Sequence, residues 1–198
     1  MNKPELSAIS FSIQNELRRK AFHLTALGYA AGYYFLGREV MVKLLAVTFA
    51  AVTAGEIARF LFPRVNAKMV KWFKGIHREG ELQELSGIFW LHFGFFVTVY
   101  LLPDRGAVLC GMGYLILGDS AAALVGMRWG RHKILGKSVE GSLAFICAGT
   151  AVGMLFVSPV RALVGAAVGA IAELVPLPGN DNFWIPVVSA GVLTWVMR

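Results

Sequence analysis

Four acidic residues stand in or beside stretches that are otherwise apolar: Glu56, Asp119, Glu173 and Asp181. An ionised carboxyl in such surroundings is costly unless it finds a partner or a wet cavity. Carboxylates gathered at one place hold divalent cations, and such cations hold phosphates. The segment GDSAAALVGMRWGRHKILGKSVEGS, Gly118 to Ser142, points to the second half of that chemistry. Gly126, Gly130, Gly136 and Gly141 would let backbone N–H groups approach an anion, and Arg128, Arg131, Lys133 and Lys137 supply charge. Ser138, Glu140 and Ser142 open an apolar run whose helical N-terminus carries partial positive charge. GRHKILGKS is not a Walker loop: five residues separate its glycines where that loop has four, and no strand precedes it. A second irregular stretch, ELVPLPGNDN from Glu173, breaks at Pro176 and Pro178 and then offers Asp181 and Asn182 as oxygen ligands suited to Mg²⁺.

The solvent of these groups follows from composition. The 198 residues are 57% hydrophobic and only 16% charged, whereas soluble domains run nearer a quarter charged. About 20 apolar residues cross a bilayer as a helix. Reading for such runs gives Ala21–Gly37, Val40–Phe62, Leu85–Leu102, Gly106–Val125, Gly141–Val157, Val160–Leu177 and Phe183–Met197. The expected fold is all-α, a polytopic membrane bundle of about seven transmembrane helices forming one catalytic domain over residues 21–198. Before it, Leu6, Ile9, Ile13 and Leu17 recur at helical spacing, which predicts an amphipathic surface helix over residues 1–20. No secretory signal is evident, so the N-terminus reads as mature. Cys110 and Cys147 lie in separate predicted spans, without the spacing of a metal site or a disulfide framework.

With the N-terminus cytoplasmic, fourteen of the 19 basic residues fall on the cytoplasmic side, the positive-inside pattern. The net charge of +7 is then a topology signal, and no nucleic acid partner need be invoked. The same orientation places all four acids in the cytoplasmic half of the membrane, facing the basic loops. A transporter of an anionic solute would need polar residues through the whole depth and an internal repeat, and neither is visible. Glu56 and Arg59, three apart, share a helix face and can pair. His23 follows Arg19 by four and could reach the same phosphate; Arg78 and Glu84 flank the third predicted span as further candidates.

Five motifs carry a resemblance: RRKAFH (Arg18–His23), EIAR (Glu56–Arg59), GDSAAALVGMRWG (Gly118–Gly130), KSVEGS (Lys137–Ser142) and EL…P…DN…P (Glu173–Pro186). Together they resemble the polyprenol/diacylglycerol kinase family, which includes dolichol kinase, phytol kinase and CTP-dependent diacylglycerol kinase and is related to phosphatidate cytidylyltransferase. The resemblance implies a lipid kinase that transfers a phosphoryl group from a nucleoside triphosphate, commonly CTP, to a membrane-dissolved alcohol, with a divalent metal. By position it assigns catalytic parts to Arg19, Lys20, Asp119, Lys137 and Glu140, and nucleotide contacts to Gly118, Ser138 and Gly141. The metal would fall to Asp119 with Glu173 or Asp181. Asp119 is followed by Ser-Ala-Ala, so the two-aspartate signature of the cytidylyltransferases is absent. Formation of a CDP-lipid is therefore the alternative.

Overall fold

A computed structural model describes residues 15–72 and 84–195. The described chain is helical apart from one short hairpin and the connections. Helix α1 covers residues 15–25 and turns at Ala26 into α2, Leu27–Leu61. Pro63–Trp72 forms α3, and Gly87–Leu101 forms α4. The next helix has three parts: α5 (Arg105–Gly113), a π-helical turn (Tyr114–Gly118) and α6 (Asp119–Trp129). Strands β1 (Lys133–Ile134) and β2 (Lys137–Ser138) pair antiparallel, and α7 (Val139–Gly153), α8 (Pro159–Leu174) and α9 (Asp181–Trp195) follow.

Each of the seven predicted apolar runs contains helix. The first two are limbs of α2, separated at Gly37, whose φ of 77° only glycine adopts readily. The limbs fold back on each other, since a β-carbon on Gly32 would lie 2.9 Å from Met41 Sδ. Two helical stretches, Asn15–Leu61 and Arg105–Trp129, are long and apolar enough to cross a membrane, with mean hydropathies of 1.8 and 1.7. Helices α4, α7 and α9 have 15 residues and α8 has 16, shorter than the ~20 residues expected of a span.

Helix α1 passes through residues 20 and 21 without a break, and Lys20 is buried. Residues 1–14, which carry most of the predicted amphipathic pattern, lie outside the described residues, as does Arg78.

The core sits around α5 and the π turn. Tyr114 is fully buried and donates a hydrogen bond to the Ala162 carbonyl at 2.9 Å. Glycines let α5 and α9 touch backbone to backbone, since a β-carbon on Gly111 would lie 2.6 Å from the Pro186 carbonyl oxygen. Helix starts are capped by short side chains, as the sequence chemistry requires. Ser86 accepts from Phe89 N, Asp104 from Ala107 N and Ser138 from Gly141 N. Asp104 also meets Arg161 at 2.6 Å, tying the start of α5 to α8.

Packing of this kind makes a paired prediction. Gly111→Ala must push α5 from α9 and should cost about 1–3 kcal/mol. Gly55→Ala, with nothing within 4 Å of the new methyl, should be neutral or raise stability by up to about 1 kcal/mol. Thermal unfolding midpoints of the two variants measure the difference.

Candidate functional site

Five separate pieces of chain bring charged side chains to one end of the bundle. Helix α1 supplies Arg19, Lys20 and His23; α6 supplies Asp119; β2 supplies Lys137; the last turn of α8 supplies Glu173; and the first turn of α9 supplies Asp181. The π turn sets the aim of Asp119. Its backbone N–H donates to the Tyr114 carbonyl five residues back, so one extra residue is wound in just before the acid. Without that residue, α6 would be rotated by about 100° and Asp119 would point elsewhere. The break between α8 and α9 does the same for the other two acids. Gly179, at φ 87°, turns the chain, Asn180 accepts from Asn182 N at 3.0 Å, and α9 starts at Asp181.

The carboxylates of Asp119, Glu173 and Asp181 present oxygens that all lie within 4.8 Å of one another. Asp119 and Glu173 are buried, and Asp181 is half-buried. Two lysines neutralise them. Lys20 is bonded to Asp119 inside the protein, and Lys137 lies 2.6 Å from Glu173 Oε1 and 3.1 Å from Asp181 Oδ2. Burial alone would lower the pKa of Lys137, but the Asp181 and Glu173 carboxylates beside it raise it above its ordinary value, so it stays charged. His23 Nδ1 lies 3.8 Å from Asp119 Oδ2 and makes no hydrogen bond among the described residues.

These groups wall a cleft of about 290 Å³, with Glu16, Arg19, Lys133, Gly136, Ser138 and Ser142 among its lining. Arg19 is fixed by Glu16, whose Oε2 accepts from its Nε at 3.1 Å. Most of the residues singled out in the sequence therefore meet here. Gly126 and Gly141 line the cleft too, but they also serve packing with Gly130. β-Carbons at the three positions would lie within 3.0 Å of Ser138 Oγ, so they bring α7 against the end of α6.

Several expected contacts are absent. Glu140 does not line the cleft: its carboxylate accepts from His132 N at 3.3 Å and meets His132 Nδ1 at 2.7 Å, bracing the hairpin to α7. Arg128 and Arg131 are exposed and stand outside the cleft. Gly118 packs on Phe145. Glu56 and Arg59 form a buried pair at 2.6 Å, and Glu56 Oε2 accepts from Ser86 N at 3.2 Å. Arg59 also donates to the Glu84 carbonyl, so these three residues hold the entry to α4 rather than the acids' cleft. Asn182 lines a second, apolar cavity of about 190 Å³ between α1, α2 and α4, which shares Arg19 and His23 with the site.

Sequence reading missed three things. The loop after α6 is a β-hairpin closed by Leu135 and Gly136, both at positive φ, and an X-Gly pair between two short runs was the available signal. Glu16, on the cleft wall, was read as part of a surface helix. Tyr29 and His92 pair across 3.0 Å from distant helices, and nothing in their spacing announces it.

No protein-family model matches the chain, and no solved structure does. Among curated proteins, an uncharacterized protein of Rickettsia prowazekii is 30% identical over 185 residues, covering 86% of this chain and 89% of the relative. An uncharacterized protein of Methanocaldococcus jannaschii is 24% identical over 184 residues, 90% of this chain and 92% of the relative. A protein named phytol kinase, from Synechocystis, is 33% identical over 194 residues, 91% of this chain and 78% of the relative. By that similarity over most of both chains, the protein belongs to the phytol kinase-like family.

Proposed function

We propose that the chain is an integral membrane lipid kinase. It moves the γ-phosphate of a nucleoside triphosphate, CTP by family resemblance, onto the hydroxyl of a bilayer-dissolved alcohol such as a polyprenol, a phytol-like isoprenoid or a diacylglycerol. The observation that carries this reading is the meeting of Asp119, Glu173 and Asp181 with Lys137 in one cleft at one end of an apolar helical bundle, with buried Lys20 paired to Asp119 behind it. Large apolar side chains on the outer helix faces support the bilayer setting: Phe35 is 79% exposed, Leu155 74% and Val47 68%. The positive-inside pattern of the basic residues supports a cleft on the cytoplasmic side, where nucleotide is found.

Hard carboxylate oxygens this close together fit Mg²⁺, and Asp119, Glu173 and Asp181 would hold it. When bound, the ion would neutralise charge on the triphosphate. The remaining work falls to the chain. Lys137, Lys133 and Arg19 face the cleft and hold phosphate oxygens, and Ser142 at the start of α7 adds a hydroxyl. Lys20 fixes Asp119 in place. The lipid oxygen attacks the γ-phosphorus, the bond to the β-bridging oxygen breaks, and the nucleoside diphosphate leaves. The hydroxyl proton leaves to an oxygen of the transferred phosphoryl group, since Lys20 already occupies Asp119 and Glu140 is turned to His132.

Two variants test the assignment. Asp119→Asn should lower kcat at least about 100-fold in protein that still folds and inserts. Lys137→Met should lower kcat/KM for nucleotide by about 100-fold or more. Near-normal turnover in either would remove that residue from the mechanism.

The donor's label separates the two chemistries. γ-Labelled nucleotide should transfer its label to the lipid, and α-labelled nucleotide should not. Label from the α position in the lipid would identify a CDP-lipid-forming enzyme instead.

A further inference from the structure

The apolar cavity beside the acid cleft has no part in nucleotide binding, yet it is not uniformly apolar. Phe22, Ala26, Ile88 and Leu91 form its greasy walls, and Tyr29, His92 and Asn182 add polar atoms. The hydrogen bonds fix what those atoms can do. His92 Nδ1 lies 2.8 Å from the Ile88 carbonyl, which only accepts, so Nδ1 carries the proton. In the neutral ring Nε2 then accepts, and its partner at 3.0 Å is the Tyr29 hydroxyl, which donates. The Tyr29 oxygen keeps its own capacity to accept. Asn182 Nδ2 donates to the Gly87 carbonyl at 2.9 Å, which sets the amide and leaves Oδ1 buried with no hydrogen-bond partner. Asn182 is 2% exposed. The cavity thus offers two acceptors that want a donor, beside His23 and Arg19, the latter shared with the acid cleft.

We propose that this cavity receives the hydroxyl end of the lipid alcohol, with Asn182 or Tyr29 accepting its hydrogen bond and Arg19, which lines both spaces, standing where the alcohol meets the phosphate donor. The inference rests on the lipid kinase reading and deepens it. An alcohol is the chemistry that fits: its hydroxyl donates, its tail matches the walls, and it brings no charge. At about 190 Å³ the cavity is smaller than the ~300 Å³ at which pockets enclose a whole small molecule, so it takes the head of a long alcohol while the tail leaves between helices.

The test uses the purified full chain and a long-chain isoprenoid alcohol bearing a diazirine near its hydroxyl. Photolabelling should fall on residues 22–29 and 88–92, and Ile88→Trp, which fills the cavity, should cut it by about tenfold or more. Tyr29→Phe, which changes no volume, should raise KM for the alcohol about three- to tenfold and leave KM for the nucleotide unaltered. Labelling elsewhere, or labelling undiminished by Ile88→Trp, overturns the cavity assignment, as does an unchanged alcohol KM in active Tyr29→Phe protein. Labelling in the cavity without phosphorylation by any nucleotide would sustain the alcohol site and remove the kinase reading.

Discussion

Three carboxylates held within 4.8 Å of one another, two of them buried, cannot stand without positive charge. That constraint organises one end of this protein. Asp119 and its partner Lys20 are 99 residues apart in sequence, so α1 must lie against α6 for the acid to be matched. Lys137 serves the other two acids at once, and so ties the hairpin to both the end of α8 and the start of α9. Loss of either lysine would leave a buried carboxylate unmatched, which costs more than the pair itself contributes. The same lysines are cations that phosphate oxygens can recruit.

Distortions of regular helix lie where these groups need aiming. The π turn precedes Asp119, the Pro-Gly break separates Glu173 from Asp181, and a tight two-residue turn presents Lys137. Each departs from the straight apolar helix that the surrounding sequence favours, and each delivers one charged group to the cleft. The remaining buried ion pair, Glu56 with Arg59, does a different job, holding the backbone at the start of α4.

Much of this was legible in the sequence because apolar runs, misplaced acids and basic loops are signals of composition and spacing. The seven runs, the turn at Gly37 and the meeting of Asp119, Glu173, Asp181 and Lys137 all follow from that level. Side-chain direction does not. Glu140 sits in the motif that marks the site, yet its carboxylate turns to His132, and Arg128 and Arg131 face outward. The glycines of the same loop read as an anion cradle, but three of them are small because Ser138 and the backbone of α7 press against α6. The burial of Lys20 against Asp119 carries no signal in the sequence, because helical periodicity does not reveal which helix α1 packs against. The apolar cavity was invisible for a plainer reason: Tyr29, His92 and Asn182 come from three helices and carry no spacing in common.

The central claim is that the three acids form a cation site shared with a nucleotide's phosphates. Titration of the purified protein with Mn²⁺, followed by loss of the free-ion paramagnetic signal, measures it without turnover. The account predicts one site that tightens when nucleoside triphosphate is present and that Glu173→Gln weakens by about tenfold or more. Mn²⁺ binding that ignores both the nucleotide and Glu173→Gln, or no bound ion at all in the presence of nucleotide, would contradict it.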